Sequence, residues 1–470
     1  MTATIPQNPE LIKNLMELVA AHRGIFGQER VYERAVKLVL AEVMAFARHT
    51  VTQLVMVLGE NGEDWSGWYR LFSRKRFDEA AAAEVMVKET LKHVGEEEVY
   101  VVGGDGTQVP RDGKRIEGVS WLRNLRTPAF KVGIHRAQRW FNGSWLIPTE
   151  QGYSRALPLR WLPAFPAKAQ RQVTEPCTEW EAAVHFLGWL KAQLARLGRA
   201  GQWILMVADG SFDTLGLWQH LPSGVVMLAR SAKNRVLHHL PPAGAHRNRR
   251  YGERALTPQA LWQQRSGWHK IQLLIRGRLR NLQYRVEGPF LRKGAPHMPL
   301  FLIIVRGKTY LQHGHRKHRE PMPYLVNALP GLNGQWVLPL PITTLLFWAW
   351  QRWELEVCHR EIKSGFGLGH KQCWNPVAAL ASVQWSAWVY SLLLLAGYRT
   401  WGLCGAPSVP SAWWHGAGRW SLNTLWRAYR AALWGPHLFQ PLCSYTPSNW
   451  LEKQALFRGL GNSLYAASRS

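Results

Sequence analysis

Three acidic residues are the first candidates for chemistry, because of the elements in which they are placed. Asp105 follows the apolar run EVYVVGG and Asp209 follows WILMVA, so both are predicted at the carboxyl ends of buried strands. Glu356 lies in the helical segment WQRWELEVCHREIK. A buried carboxylate is unfavourable unless a positive group shares its site. Two carboxylates about 4 Å apart repel by several kcal/mol, and a divalent cation reverses that balance.

Ligands that are all oxygen suit Mg²⁺ or Mn²⁺, and a pair of such ions holds both the attacking and the leaving oxygen of a phosphodiester. The three acids together therefore predict two-metal phosphoryl transfer. Taken singly, each acid has a plainer explanation. Asp-Gly is a common turn sequence, which accounts for Asp105 or Asp209, and Glu356 fits a solvated helix position. Their joint placement carries the prediction.

The elements that must position the acids follow the order strand, strand, strand, helix, strand, helix, strand. Apolar runs and helical spacing define these elements. The strands are predicted at 98–105, 130–135, 144–148, 203–209 and 225–230, and the helices at 178–197 and 212–220. One aspartate thus ends a strand before the long helix, and the other ends a strand after it.

The composition favours a polyanionic partner. The 470 residues include 58 Lys and Arg against 31 Asp and Glu, a formal net charge of +27 at pH 7. Hydrophobic residues make up 47% of the chain, enough to bury a core, which excludes wholesale disorder. So basic a chain favours nucleic acid first and an anionic membrane surface second. The 26 tryptophans are explained by core packing or, for a minority, by stacking on bases.

Residues 50–76 predict a helix-turn-helix. Thr50 or Thr52 is a candidate cap for a short helix, Gly59 a candidate end, and a second helix follows near 64–72. A basic tail comes next, formed by Arg74, Lys75 and Arg76. The second helix of such a motif enters the DNA major groove, although any small helical bundle shares the pattern.

We expect five regions along the chain. The core is an α/β fold, a mixed sheet flanked by helices, with a mainly β insertion before the third acid. The regions are a helical DNA-binding region (1–95), the first part of the core (96–230), the β insertion (231–340), the third-acid helix with the end of the core (341–400) and a Trp-rich helical C-terminal region (401–470).

The chain resembles the DDE transposases of bacterial insertion sequences, which have an RNase H-like core. In the group with a β-rich insertion, the third-acid helix carries Tyr-x2-Arg-x3-Glu-x6-Lys. Arg352, Glu356 and Lys363 match the last three positions, whereas the tyrosine position is Ala349, between two tryptophans. The run RWELEVCHREIKSGFGLG is close to the family's RW-x-IE…K…GLG, and DGTQVPRDGKR resembles its first-acid motif. The resemblance covers roughly residues 30–400.

The resemblance implies that Asp105, Asp209 and Glu356 bind the metal ions. It also implies that Arg352 and Lys363 contact DNA phosphates beside them. Helical periodicity places positions 352, 356 and 363 on one face. The plainer alternatives are an ordinary i,i+4 ion pair for Arg352 and Glu356, and a surface position for Lys363.

Further DNA contacts are implied after the second acid. Arg230, Lys233 and Arg235 follow the next strand, where the family often places basic contacts, although a solvated basic edge fits equally. Trp268 lies near the hairpin of the insertion and is a candidate for stacking on a base extruded from the duplex. Core packing is its alternative role.

One segment, 378–396, is long enough to cross a membrane. Four polar residues interrupt it: Ser382, Gln384, Ser386 and Ser391. We interpret it as a buried core helix and expect no membrane partner.

The sequence lacks the motifs of several other classes of protein. The sequence has no GxxxxGK[ST], so no nucleotide is expected as a partner. Five cysteines without C-x-x-C spacing exclude a disulfide framework and argue against structural zinc. The first residues lack the pattern of a signal peptide. We expect a cytoplasmic, nucleoid-associated bacterial protein.

These observations predict a transposase that binds terminal inverted repeats, cuts the element ends and joins the 3′-OH to target DNA, using Mg²⁺ or Mn²⁺. Two ends must be joined, so a homodimer on double-stranded DNA is expected. The alternatives are a transposase-derived DNA-binding protein without cleavage, a metal-dependent nuclease of the same fold, and a basic protein anchored to a membrane at 378–396.

Overall fold

The computed structural model describes residues 9–60, 62, 64–124, 127–128, 130–244, 246, 248–312, 314–407 and 418–434. The helices are α1 (Pro9–Ala21), α2 (Glu29–Met44), α3 (Val51–Val57), α4 (Ser66–Ser73), α5 (Glu79–Leu91), α6 (Glu179–Arg196), α7 (Leu215–Gln219), α8 (Pro258–Gln263), α9 (Ile342–Gln351), α10 (Trp353–Arg360), α11 (Pro376–Trp401) and α12 (Leu422–Trp434). The strands are β1 (Tyr100–Pro110), β2 (Val119–Arg123), β3 (Ile134–Leu146), β4 (Ala156–Pro163), β5 (Ile204–Ala208), β6 (Val225–Arg230), β7 (His238–His239), β8 (His269–Ile275), β9 (Arg278–Arg292), β10 (Ala295–Val305), β11 (Lys308–Gln312), β12 (His315–Arg319), β13 (Met322–Asn327), β14 (Leu329–Pro330) and β15 (Trp336–Val337).

Five strands form the centre of a mixed sheet, in the spatial order β4-β3-β1-β5-β6. β4, β3 and β1 are antiparallel neighbours, whereas β1, β5 and β6 run parallel. Helices cover both faces. A side chain at Gly143 would meet Phe186 of α6, and a side chain at Gly103, on the other face, would meet Leu355 of α10. The predicted α/β class, a mixed RNase H-like sheet flanked by helices, is confirmed.

Two strand predictions were wrong at the antiparallel edge. β1 continues to Pro110, so Asp105 lies in mid-strand rather than at a strand end. The segments 130–135 and 144–148 were predicted as separate strands, but one long strand, β3, covers 134–146. The glycines and polar residues inside these strands look like turns in the sequence. Pairing on both sides of each strand overrides that local preference.

The strands of 231–340 extend the central sheet. β13 pairs with β6, β10 with β13, and β9 with β10. The hairpin predicted at 271–287 is present as β8 and β9. The strand predicted at 300–305 is present as part of β10. The insertion is therefore joined to the core by continuous hydrogen bonding, which fixes its orientation relative to the acids.

Helix α11 is the buried axis of the helical part of the fold. It packs against α1, α4, α5 and β4. Among the described helices it alone is long and apolar enough to cross a membrane, but 83% of its most apolar stretch is buried inside the protein. The interpretation of 378–396 as a core helix requires burial of this kind.

A buried charge network joins α2 to the segment before α11. Glu42 is fully buried, with Lys371 Nζ 2.7 Å from its Oε1 and His49 Nδ1 2.5 Å from its Oε2. Trp385 Nε1 donates to the same Oε1 at 3.2 Å. Burial raises the pKa of Glu42, but Lys371 and His49 outweigh that effect and hold it below its usual value. Glu42 therefore clamps the N-terminal helices to the core.

Replacing Glu42 by Gln should destabilise the protein by about 3–5 kcal/mol, because it leaves the Lys371 ammonium buried without a counter-charge. Urea unfolding of Glu42→Gln measures this. Glu29→Gln is the control, because the Glu29–Arg23 pair is exposed and its loss should cost less than about 1 kcal/mol. Equal losses of unfolding free energy in the two variants would contradict the role of Glu42 in holding the N-terminal helices to the core.

Candidate active site

Asp105 and Asp209 lie at adjacent positions in the sheet. β1 and β5 are parallel, and the last registered pair joins Gly104 to Ala208. The next residue along each chain is an aspartate. Asp209 leaves β5 in an extended conformation, and its Oδ1 accepts hydrogen bonds from the backbone N–H and the hydroxyl of Ser211, at 2.9 and 2.6 Å. The parallel register is therefore what brings the two aspartates together.

Helix α10 brings Glu356 to the same place because Gly103 has no side chain. A Cβ at Gly103 would lie 2.8 Å from Cδ1 of Leu355, so the helix packs directly on the backbone of β1. Side chains alternate along a strand, so Gly103 and Asp105 face the same side of the sheet. Glu356 follows Leu355, and its negative charge acts on Asp105.

The crowding of acids is visible in the pKa of Asp105. Burial and the neighbouring Asp209 raise this pKa to about 7, and Glu356 contributes in the same direction. Arg352 and the backbone N–H of Gly106 oppose the rise. The charged form of Asp105 is thus disfavoured, and added positive charge would stabilise it.

Arg352 lies among the three acids. Its Nη2 donates to Oε1 of Glu356 at 2.6 Å, so the ordinary i,i+4 ion pair is formed. Burial opposes the charge of the guanidinium, but Glu356, Asp105 and Asp209 together raise its pKa. Arg352 lies between α9 and α10, and its backbone N–H still donates to the carbonyl of Trp348 at 3.1 Å.

Lys363 reaches the same face of β1. Its ammonium donates to the hydroxyl of Thr107, two residues beyond Asp105. The helix does not arrive there by α-helical periodicity, because Glu361–Gly365 is a π-helical turn. The α-helical periodicity used to place positions 352, 356 and 363 on one face therefore does not extend to Lys363, although all three side chains act on β1 or its acids.

A buried ion pair accompanies the π-helical turn. Arg155 Nη2 donates to Oε2 of Glu361 at 2.5 Å, and the Tyr390 hydroxyl donates to the same oxygen at 2.7 Å. The Arg155 and Glu361 side chains are only 7% and 13% exposed. π-Helical turns occur frequently at functional sites. Here the turn sets the rotation at which Lys363 leaves the helix.

Glu179, which the sequence analysis did not identify, is a further acid near Asp209, on the face of β1 opposite to Asp105. A side chain at Gly106 would collide with its carboxylate. Burial raises the pKa of Glu179, and the negative charge of Asp209 adds to this rise. Arg139, whose Nε lies 3.4 Å from Oε1 of Glu179, opposes it. Glu179 opens the helix α6 beside the Thr178 capping box, so in the sequence it has the appearance of an ordinary first-turn acid.

His359 was also missed. It lies one helical turn beyond Glu356, with Nδ1 3.8 Å from Oδ2 of Asp105. Burial, together with Lys363 and Arg352, lowers the pKa of His359 to about 3. The spacing Glu-x-x-His was the available signal, since residues three apart share a helix face.

The basic residues after β6 have different surroundings. Arg230 is the exposed last residue of the strand. Lys233 is exposed, with Nζ 3.9 Å from Glu320. Arg235 Nη2 lies 2.6 Å from Oδ2 of Asp213, which is fully buried at its side chain. Arg235 therefore has a structural partner, and DNA contact by these three basic residues stays a prediction.

Trp268 is half-buried rather than part of the core. Its Nε1 donates to the carbonyl of Gln264 at 2.9 Å, and the Arg306 guanidinium lies over the ring, 5.3 Å from its centroid. Arg306 thus covers one face of the indole. Stacking of Trp268 on an extruded base stays a prediction.

The predicted helix-turn-helix segment contains α3 and α4, with Thr50 capping α3. Arg74 and Lys75 are exposed, and Arg76 is partly buried. Partial burial lowers the pKa of Arg76, and so do four neighbouring arginines. These neighbours are Arg74, Arg30, Arg34 and Arg70. Four arginines therefore act on Arg76, which suits an anionic partner.

Comparison with known families shows which family the chain belongs to. A family model described as DDE superfamily endonuclease matches residues 26–286. The chain belongs to this superfamily. The matched range contains Asp105 and Asp209 and ends before Glu356. The choice of Glu356 as the third acid therefore depends on the geometry of α10 and on the sequence motif around it. Endonucleases of this superfamily typically depend on divalent metal ions.

One solved structure is similar to the chain over most of its length. A cryo-EM structure of a piggyBac transposase synaptic complex with hairpin DNA matches over 96% of this chain and 82% of that chain, at 10% sequence identity and a TM-score of 0.38. Among curated proteins, no match to the chain is found.

The chemistry of the donors fits Mg²⁺ or Mn²⁺. Asp105, Asp209 and Glu356 offer only carboxylate oxygens, and burial together with repulsion from the other two acids raises the pKa of Asp105. Among the described residues, no three His, Cys, Asp or Glu side chains are grouped closely enough to form a ready-made metal site. One oxygen of Glu356 is instead engaged by Arg352. Metal binding is therefore part of the proposal below.

The raised pKa of Asp105 predicts a pH-dependent stability in EDTA. An acid whose folded pKa of about 7 exceeds its ordinary value of 3.8 destabilises the folded state increasingly between pH 4 and 7. Asp105→Asn should therefore stabilise the protein at pH 8, by up to about 4 kcal/mol, and change nothing near pH 4.

Urea unfolding across this pH range measures the effect. Asp112→Asn is the control, because Asp112 is an exposed aspartate on the loop after β1. A gain from Asp105→Asn that is the same at pH 4 and pH 8 would show that ionisation of the Asp105 carboxyl is not its cause.

Proposed function

We propose that the protein is a DNA transposase of the insertion-sequence type. It binds the terminal inverted repeats of its element, cuts the DNA at the element ends and joins the freed 3′-OH to target DNA. The observation that carries this proposal is that Asp209 and Glu356 both act electrostatically on the buried Asp105 of an RNase H-like sheet, in a member of the DDE superfamily of endonucleases.

The three carboxylates are proposed to hold Mg²⁺ or Mn²⁺, as two ions. When bound, these ions supply Lewis-acid activation of the attacking oxygen and neutralise charge on the phosphodiester. Arg352 carries a positive charge beside all three acids, which suits it to contact the scissile phosphate. Lys363, which bonds to Thr107 on β1, is proposed to contact a phosphate nearby.

A cleft in the insertion extends the basic surface. It has a volume of about 830 Å³ and lies between the β8–β9 hairpin and the end of β10. Its lining contains no acidic residue among those the structure describes; the basic residues are Lys270, Arg280, Arg306, Lys308 and Arg319. This charge pattern supports a phosphodiester backbone running along the insertion.

The remaining partners follow from the reaction. Transposition joins two ends, so we propose a homodimer assembled on DNA. The arginines around Arg76, with the outward side chains of α4, are proposed to bind the terminal repeats. We place the reaction in the bacterial cytoplasm, at the nucleoid.

Cleavage of the flanking DNA of the element tests the proposal. Wild type with Mg²⁺ or Mn²⁺ should cut at the inverted ends and give joined products. Asp209→Asn and Glu356→Gln should each lower the cleavage rate at least about a thousandfold, or about 4 kcal/mol in the barrier, while DNA binding is kept.

Three other outcomes would contradict the proposal. Tight binding without cuts by wild type indicates a transposase-derived DNA-binding protein. Cuts without joined products indicate a nuclease of the same fold. Cleavage that survives both substitutions places the active site elsewhere.

The basic cleft makes a separate prediction about salt. Arg280→Gln with Lys308→Gln should weaken binding of a duplex end. The slope of log K against log[salt] should become shallower by about 0.9 for each phosphate that the variant no longer neutralises. Fluorescence anisotropy between about 50 and 200 mM salt, a range over which such binding changes steeply, measures the slope.

The matched control removes the same charge from another part of the surface. Lys13→Gln with Arg196→Gln changes two exposed basic residues outside the cleft and should leave the slope nearly unchanged. Equal changes of slope in the two double variants would mean that the salt dependence reports only the net charge of the protein and not the basic cleft.

A further inference from the structure

A row of polar side chains lies buried behind Asp105. Asn142 of β3 is the registered partner of Asp105, and Ser144 lies two residues further along the same face. His359 of α10 completes the row. Asn142 and Ser144 are fully buried and His359 is 9% exposed. Polar groups so far from water are stable only when they are hydrogen-bonded to one another.

The contacts form a directed chain. The Ser144 hydroxyl donates to Oδ1 of Asn142 at 3.0 Å, and Nδ2 of Asn142 lies 3.1 Å from Nε2 of His359. Nδ1 of His359 then lies 3.8 Å from Oδ2 of Asp105. The indole of Trp161 packs edge-on against the imidazole, with centroids 5.8 Å apart. The ring of His359 is thereby held between β3 and β4.

The orientation of Asn142 decides which ring nitrogen carries the proton. With Oδ1 engaged by Ser144, the amide offers Nδ2 as donor, so Nε2 of His359 accepts and the proton resides on Nδ1. The reversed amide would place the ring proton on Nε2 and aim a lone pair of Nδ1 at the Asp105 carboxylate. That arrangement is electrostatically unfavourable, so the geometry selects the tautomer with Nδ1–H toward Asp105.

We propose that His359 is a positioning residue for Asp105: its Nδ1–H, fixed by Asn142 and Ser144, holds Oδ2 and leaves the other carboxylate oxygen to a divalent cation. This inference rests on the proposed function, which makes Asp105 a metal-binding acid. The distance of 3.8 Å is longer than a hydrogen bond. Such contacts are often long before substrate and cofactor are bound, and they tighten in the working complex.

The first test is Mn²⁺ affinity of the full-length protein without DNA, measured by electron paramagnetic resonance. Loss of an outer partner of a metal-bound side chain typically weakens metal binding by about 10- to 100-fold. His359→Leu should therefore raise the Kd for Mn²⁺ at least about tenfold. His359→Asn, whose amide nitrogen can take the place of Nδ1, should stay within about threefold of wild type, a factor below that range.

Two results separate this inference from the proposed function. If wild type binds no Mn²⁺, or if Asp105→Asn leaves binding unchanged, the proposed function fails. If Asp105→Asn abolishes binding but His359→Leu binds as wild type does, only the positioning role fails. Equal losses in His359→Leu and His359→Asn would reduce His359 to a packing residue and also overturn the inference.

A second measurement does not depend on a variant that folds well. The ¹⁵N chemical shifts of the His359 ring in the metal-free wild-type protein report which nitrogen is protonated. We expect a protonated Nδ1 and an unprotonated Nε2. The opposite tautomer would overturn the inference. In Asn142→Leu, which removes the donor to Nε2 but leaves Asp105 opposite Nδ1, the preference for Nδ1–H should weaken.

Discussion

The carboxylate of Asp105 lies in the middle of a buried strand, and the rest of the site is arranged around the cost of holding a charge there. Burial and the adjacent Asp209 raise its pKa to about 7. Nearby groups act against that rise: the Arg352 guanidinium and the Gly106 backbone N–H. An active site that requires several acids at one point needs such compensation before any cation arrives, because repulsion among the acids otherwise opposes folding.

Glycines in β1 make the crowding sterically feasible. Gly103 lets α10 approach the strand closely enough for Leu355 to touch backbone, and Gly106 leaves space for the Glu179 carboxylate. Glycine weakens a strand by itself. Here β1 is paired along its length with β3 and near its start with β5, so neighbouring strands supply the order that its own side chains do not.

The sequence indicated the candidate acids more readily than the elements that hold them. Asp105 and Asp209 were recognisable because acids are unexpected beside apolar runs, whereas Glu356 was indicated by the Arg-x3-Glu-x6-Lys motif. The order of strands and helices followed from the apolar runs. The true end of β1 was not predictable, because GGDGT has the composition of a turn and becomes a strand only through pairing with β3. The π-helical turn at Lys363 is accompanied by a buried contact between Glu361 and Arg155, which is distant in sequence.

The same reasoning explains why His359 escaped notice. A histidine in a helix is unremarkable in sequence, and its significance comes from Asn142 on a strand far earlier in the chain. Asn142 in turn matters because the β1–β3 register sets it opposite Asp105. The acids of such a site are visible in sequence because their charge is conspicuous. The neutral groups that orient them become visible only once the register of the sheet is known, since hydrogen-bond direction is a property of the assembled fold.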